Sequence, residues 1–345
     1  MSKVVLDAVG GDHAPTEAVA GVKLALENGY LEPGEVILTG PEAMVRQAVT
    51  AAGLPESIEV FDAPDLLTSG DSPTDALRKK RNNSIAVGIG LVKAGRAGGF
   101  VSAGSTGTVV AAATVGLRYL EGIRKACIGA IIEGELHPFL VLDVGANPQP
   151  KPHHLAQFAL MGSAYYRCQF GVERPNVGIL NIGSEDKKGS PLVLEARNLM
   201  QQMPIQFGGN VEGVELFSGA CQVVVTDGFS GNILLKASEG LAEYLLRATF
   251  QEMVKAGVSL EQMHAVKQAV MPRVDFSEYG GALLLGVEGV VTICHGRSQA
   301  PAFANALRFA KRSLEGEVNR HIVEAAAAMQ MNGGGNQDAS AQPEA

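Results

Sequence analysis

Short runs of β-branched and aliphatic residues alternate along this chain with stretches in which apolar positions return every three or four residues. Lys3–Asp7 reads as a strand, and the helix after it carries Val19, Val22 and Leu26 on one side before Gly29 closes it. Val36–Thr39 is the next strand. A helix opened by Pro41 follows, with Met44, Ala48 and Ala52 on one face, and Ile58–Phe61 repeats the rhythm. Residues 62–83 interrupt with polar sequence that includes the basic run Arg78–Arg81, read as a solvated helix face. The pattern resumes with a helix over Ser84–Ala94, where Gly88 and Gly90 read as packing positions, and a strand at Gly99–Ser102.

Ile128–Ile132 and Phe139–Leu142 form a pair of strands with no helix between them, a departure from strict strand–helix alternation. A helix from about His154 to Cys168, a strand at Val177–Ile182 and a helix from about Leu192 restore the order. Val223–Val225 enters a glycine turn and then a helix that continues through Tyr244, Leu245 and Leu246 into a long amphipathic region ending near Met271. Val290–Ile293 is a late strand, and Ala302 to about Ala328 is helical. Such alternation predicts a three-layer α/β/α body with a mostly parallel sheet. The predicted organisation is one body over residues 1–331, an amphipathic arm at about 241–275, and a disordered tail over 332–345, which is rich in Gly, Asn, Gln and Ser.

Several predicted strands run into loops of the same character, and in an open α/β sheet ligands bind at the carboxyl ends of strands. The first loop offers Gly10, Gly11, Asp12 and His13, and the second Ser102, Gly104, Ser105 and Thr106. Asp143 and Asn147 lie in a third, and Asn181 and Gly183 lead into a fourth that contains Lys187. The fifth holds Asp227, Gly228, Ser230, Gly231 and Asn232, and His295 follows the last strand. Free N–H groups at the start of the helix after Asp227 would favour an anion. Each loop serine reads equally well as a helix cap.

The formal charge of −8 supplies no global field for nucleic acid. Four widely spaced cysteines form no C-x-x-C pair and read as reduced core residues. The longest uncharged run, Phe100–Leu117, is broken by hydroxyl residues and glycines and makes a poor membrane span. The glycines match neither the G-x-G-x-x-G nor the Walker pattern, and there is no G-x-S-x-G. Neighbouring Cys294 and His295 would point to opposite faces of a strand. The acidic and histidine side chains lack metal-ligand spacing, so neither metal nor cofactor is expected. What remains is N–H donors, hydroxyls and a lysine, the profile of a site for an anion that itself reacts.

Six motifs in order sharpen this. They are Asp7–Pro15, Ser102–Gly107, Asp143–Asn147, Asn181–Glu185, Thr226–Asn232 and Glu278–Ala282. Over about Lys3 to Arg320 the chain resembles the bacterial phosphate acyltransferases, which make acyl phosphate from acyl-acyl carrier protein and inorganic phosphate. Val9 stands where that family usually has Met, and Ser105 and Thr108 where Asn and Ala are common. The resemblance implies a fold like isocitrate and isopropylmalate dehydrogenases, a homodimer, and Lys187 and Asn232 as catalytic residues. It further implies a cytoplasmic enzyme, peripheral membrane contact and hand-over to a membrane glycerol-3-phosphate acyltransferase in phospholipid biosynthesis. Carrier docking would use a basic surface, with Arg78–Arg81 or Arg308, Lys311 and Arg312 as candidates. The alternatives are an NAD-dependent dehydrogenase on a related fold and a non-catalytic acyl or phosphate-binding protein.

Overall fold

The computed structural model describes residues 3–68, 70–274 and 279–332. The tail predicted over 332–345 lies outside the described residues apart from Asn332, as does Glu278 of the last motif. The first half contains β1 (Val4–Asp7), α1 (Thr16–Glu27), β2 (Val36–Gly40), α2 (Glu42–Ala51), β3 (Glu59–Asp62), α3 (Pro73–Arg78), α4 (Ser84–Lys93), β4 (Gly99–Ser102) and α5 (Thr106–Leu117). The second contains β5 (Cys127–Ile132), β6 (Phe139–Leu142), α6 (Pro152–Phe170), β7 (Asn176–Asn181), α7 (Pro191–Met200), β8 (Gln206–Glu212), β9 (Val223–Val225), α8 (Gly228–Lys255) and α9 (Leu260–Val274). The chain then returns to the middle of the sheet through β10 (Ala282–Leu285) and β11 (Val290–Ile293). It ends in α10 (Ala300–Glu315) and α11 (Val318–Asn332).

Among the described residues, all strands join one 11-stranded sheet in the order β3-β2-β1-β4-β11-β10-β5-β6-β9-β7-β8. The five strands from β3 to β11 are parallel, as are the four from β6 to β8. Between these blocks lie three antiparallel pairings, β11 with β10, β10 with β5 and β5 with β6. Three reversals leave the blocks running in opposite directions. The carboxyl ends of β6, β9 and β7 therefore lie on one edge of the sheet, and those of β1, β4 and β11 on the other.

Alternation along the strands explains the layers. Val5, Phe100, Val141, Val224 and Leu284 face a core covered by α4, α5 and the beginning of α8. Val4, Leu6, Leu140, Leu142, Val223 and Leu283 face the other side, where α1, α2, α6, α7, α10 and α11 pack. Helices on both faces make the expected α/β/α sandwich.

The structure adds detail that the pattern did not carry. β8 reads Gln-Phe-Gly-Gly-Asn-Val-Glu, an edge strand with glycines in its middle and little buried surface. The helix expected from Ala302 to Ala328 is two, because Glu317 takes a left-handed conformation (φ 49°) after Gly316. The amphipathic stretch is likewise two helices, broken where Gly257 has φ +75° and Ser259 caps α9 by accepting from the N–H of Gln262. Beyond Gly228 and Gly231, none of α8 is buried in the chain, and Leu241, Tyr244, Leu245 and Val254 stand exposed.

The two glycines of α4 differ. A Cβ on Gly88 would run into the Phe100 ring, whereas one on Gly90 would meet nothing within 4 Å. Gly88→Ala should destabilise the protein by about 1–3 kcal/mol through overpacking, and Gly90→Ala should stabilise it by about 0.5–1 kcal/mol. Urea unfolding midpoints of the two variants check both signs.

Candidate active site

Three loops meet at the carboxyl ends of the adjacent parallel strands β6, β9 and β7. The buried carboxylate of Asp143 organises the first. Its Oδ1 accepts from the N–H groups of Ile128 (3.0 Å), Gly145 (3.1 Å) and Ala146 (3.0 Å), and its Oδ2 from the N–H (2.7 Å) and Nδ2 (2.8 Å) of Asn147. Asn147 Nδ2 also donates to the Ala126 carbonyl at 2.7 Å. The donors of this loop are thus spent on an anion that belongs to the protein.

The loop after β9 is built against the first. Gly228 N–H donates to Asn147 O at 2.8 Å, and Gly231 lies so close to the Asp143 carbonyl that no Cβ fits. Asp227 caps α8, its Oδ1 accepting from Phe229 and Ser230 N–H and its Oδ2 from the Ser230 hydroxyl. Gly231 N–H is taken by Asp227 O. The free N–H groups expected here for an anion are therefore already paired, a correction that follows from the Asp227 cap. Asn232, one residue on, is exposed with no intramolecular partner for its amide among the described residues.

The loop after β7 is tied down by its neighbours rather than by itself. Asn181 Nδ2 donates to Lys188 O, Asn210 Nδ2 to Glu185 O, and Ser184 N–H to Glu212 Oε1. Arg197 of α7, nearly buried, pairs with Asp186. The stem of Lys188 lies over Gly183, while Lys187 is exposed and has no ion-pair partner among the described residues. Lys187 and Asn232 are thus uncommitted side chains on neighbouring strand ends.

The remaining predicted residues gather on the opposite sheet edge. Ser102 donates to Asp7 Oδ2 at 2.7 Å and accepts from Gly104 N–H at 2.9 Å, and Asp12 N–H donates to Gly296 O at 2.7 Å. Gly10 and Gly11 let these loops touch, since a Cβ on either would press on Gly104 or Gly296. Burial pushes the Asp7 carboxyl above its ordinary range, against the pull of Ser84 and Ser102. Ser105 stands at the N-cap of α5 without capping it, and its hydroxyl, like that of Thr106, is exposed. Exposed His295 accepts from Arg297 N–H through Nδ1, and His13 belongs to the turn leading into α1. Burial raises all four thiols, Cys221 to about 11 and Cys294 to about 12, so none supplies a thiolate near neutral pH.

Solved structures that share this α/β fold class include phosphotransacylases and dehydrogenase-like proteins. A phosphotransacetylase from Streptococcus pyogenes superposes with a TM-score of 0.60 at 19% identity, over 91% of this chain and 94% of that one. A Salmonella typhimurium protein assigned as a 4-hydroxythreonine-4-phosphate dehydrogenase gives 0.51 at 10% identity, over 90% and 99%. Within that class the chain belongs to the phosphate acyltransferase family, and it is an acyl-transferring enzyme. The family model described as fatty acid synthesis protein matches residues 2–321. Phosphate acyltransferase from Pelotomaculum thermopropionicum is 39% identical over 336 residues, 96% of this chain and 97% of the relative.

Two outcomes follow from the loop chemistry. Asp143→Ala strands several buried donors and should lower stability by at least about 3 kcal/mol, read as an earlier chemical unfolding midpoint. At the start of α6, His154 Nδ1 accepts from Lys151 N–H, while burial and then the charges of His153, Lys125, Lys151 and Arg124 hold its pKa down at about 4. Unfolded His154 binds a proton near pH 6.5 and folded His154 does not, so its stabilising contribution is full above about 6.5. That contribution is lost as pH falls toward 4. His154→Gln should flatten this part of the stability–pH curve, measured by thermal unfolding at stepped pH.

Proposed function

We propose that this enzyme transfers an acyl group from acyl-acyl carrier protein to inorganic phosphate, forming acyl phosphate early in phospholipid biosynthesis. The observation that carries the reading is the pair of uncommitted side chains, Lys187 and Asn232, at the carboxyl ends of adjacent strands in a chain of this family. Phosphate is already a nucleophile near neutral pH and needs no side-chain base. One of its oxygens attacks the thioester carbonyl carbon, a tetrahedral oxyanion forms, and the C–S bond breaks. The carrier thiolate leaves and takes up a proton. Lys187 supports phosphate or the developing oxyanion by charge, and Asn232 donates from its amide. The loops of Asp143–Asn147 and Asn181–Gly183 shape the surroundings, while those of Gly10–His13 and Ser102–Thr106 lie with His295 at the opposite edge.

The exposed apolar side chains along α8 and α9 suit an arm that packs on a second copy of the chain or rests on a membrane surface. Among the described residues, no helix is long and apolar enough to cross a membrane. Peripheral contact of this kind would bring acyl phosphate to a membrane glycerol-3-phosphate acyltransferase.

Lys187→Ala and Asn232→Ala should each slow phosphate-dependent release of free carrier from its acyl thioester by about 100–1,000-fold, with an unchanged circular dichroism spectrum. Near-normal turnover by Lys187→Ala would remove that residue from the mechanism.

A further inference from the structure

Arg124 and Lys125 precede β5, and Lys151 precedes α6, yet their charges all act on His154, which brings the two segments to one place. Gln157 fastens them together, its Oε1 accepting from Arg124 N–H at 3.0 Å and its Nε2 donating to Gly122 O at 2.8 Å. All three cations are exposed, and none has a carboxylate within ion-pair distance among the described residues. His153 lies in the same patch, and Glu195 of α7 is the acidic group that acts on it.

The other basic clusters are in part neutralised by pairing or stacking. Lys79 is paired with Asp75 at 2.7 Å and Lys80 with Asp71 at 2.6 Å, and Lys311 is held by Glu35 at 2.7 Å. Arg308 stacks on Tyr30 and Phe309. On a chain of net charge −8, three neighbouring cations without ion-pair partners among the described residues make a locally positive patch.

The patch also adjoins the site. Ala126, next to Lys125, accepts through its carbonyl from Asn147, and Asn147 O in turn holds Gly228 at the start of α8. Few covalent and hydrogen-bonded steps separate the cations from Asn232. The exposed apolar side chains that would enter a lipid surface lie on α8 and α9 instead.

We propose that Arg124, Lys125 and Lys151 form the docking surface for the acidic carrier protein that delivers the thioester. This rests on the acyl-transfer reading above. The cations steer the carrier to the edge where β6, β9 and β7 end, and its prosthetic arm then reaches toward Asn232 and Lys187.

The test titrates the full-length enzyme with fluorescently labelled acyl carrier protein thioester at low and raised salt. The proteins compared are the wild type, the reversal R124E/K125E/K151E and the neutral R124Q/K125Q/K151Q. Wild-type binding should weaken as salt rises. Reversal should weaken it at least about tenfold and remove most of the salt slope, with the neutral variant in between. Unfolding midpoints matching wild type exclude misfolding, and if the reversal fails to fold the neutral variant decides alone. Unchanged carrier affinity in the variants overturns the proposal, as does loss of phosphatidylglycerol vesicle binding with carrier affinity intact, which assigns the patch to a membrane. Carrier binding without phosphate-dependent acyl release in the wild type overturns the acyl-transfer reading and leaves the docking surface standing.

Discussion

The candidate site is held by a buried negative charge that the protein supplies to itself. Asp143 collects backbone donors from β5 and from its own loop, and this replaces the pairing that the reversal between β5 and β6 would otherwise leave open at the sheet edge. Asn147, fixed by the same carboxylate, turns its carbonyl to Gly228, and Gly231 then slides against the Asp143 backbone. The direction in which α8 leaves the sheet, and with it the placement of Asn232, depends on this contact. A residue larger than glycine at 231 or an uncharged residue at 143 would loosen the same joint from opposite sides.

Much of this was legible in the sequence, for identifiable reasons. Val223–Val225 and the strands around it are buried on both faces and therefore read as continuous apolar runs. β5 and β6 lack an intervening helix, and their departure from strand–helix alternation is where the structure pairs them antiparallel. β8 was invisible because an edge strand with two glycines has neither alternation nor an apolar run, and β10 was read only as the end of a motif. The direction of each loop was also hidden, since strand polarity depends on pairing partners far away in sequence. The fate of the donors at the start of α8 is likewise hidden in the sequence. Asp227 announces turn chemistry, but that its carboxylate would occupy the helix start in place of a ligand needed coordinates.

Counting which polar groups are already engaged is more discriminating here than listing which are present. Asp7, Ser102, Asp143, Asn147, Asp227 and Ser230 all lie in or beside the glycine loops and all are bonded to the protein itself. They shape the loops and leave little capacity for a ligand. Lys187 and Asn232 carry no such obligations; the loop of Lys187 is braced by Asn181, Asn210, Glu212 and Arg197, and that of Asn232 by Asp227 and Asn147. Rigid support around a free cation and a free amide is how a folded chain prepares a site without spending it on its own structure.

That preparation is incomplete while both groups face water. A charge 4 Å from an exposed ammonium gains only about 1 kcal/mol in bulk solvent, because water screens it. Stabilising a tetrahedral oxyanion needs a drier surrounding, and among the described residues both Lys187 and Asn232 are exposed. Under the proposed reaction, something bound must therefore cover them, and a bulky acyl carrier seated at the same edge would do so in the act of delivering its thioester. Docking and catalysis are then linked by desolvation. On that reading the positive patch beside Ala126 would bring in the object whose presence makes Lys187 effective, and an acyl donor too small to cover this edge would react poorly even if its thioester were equally labile.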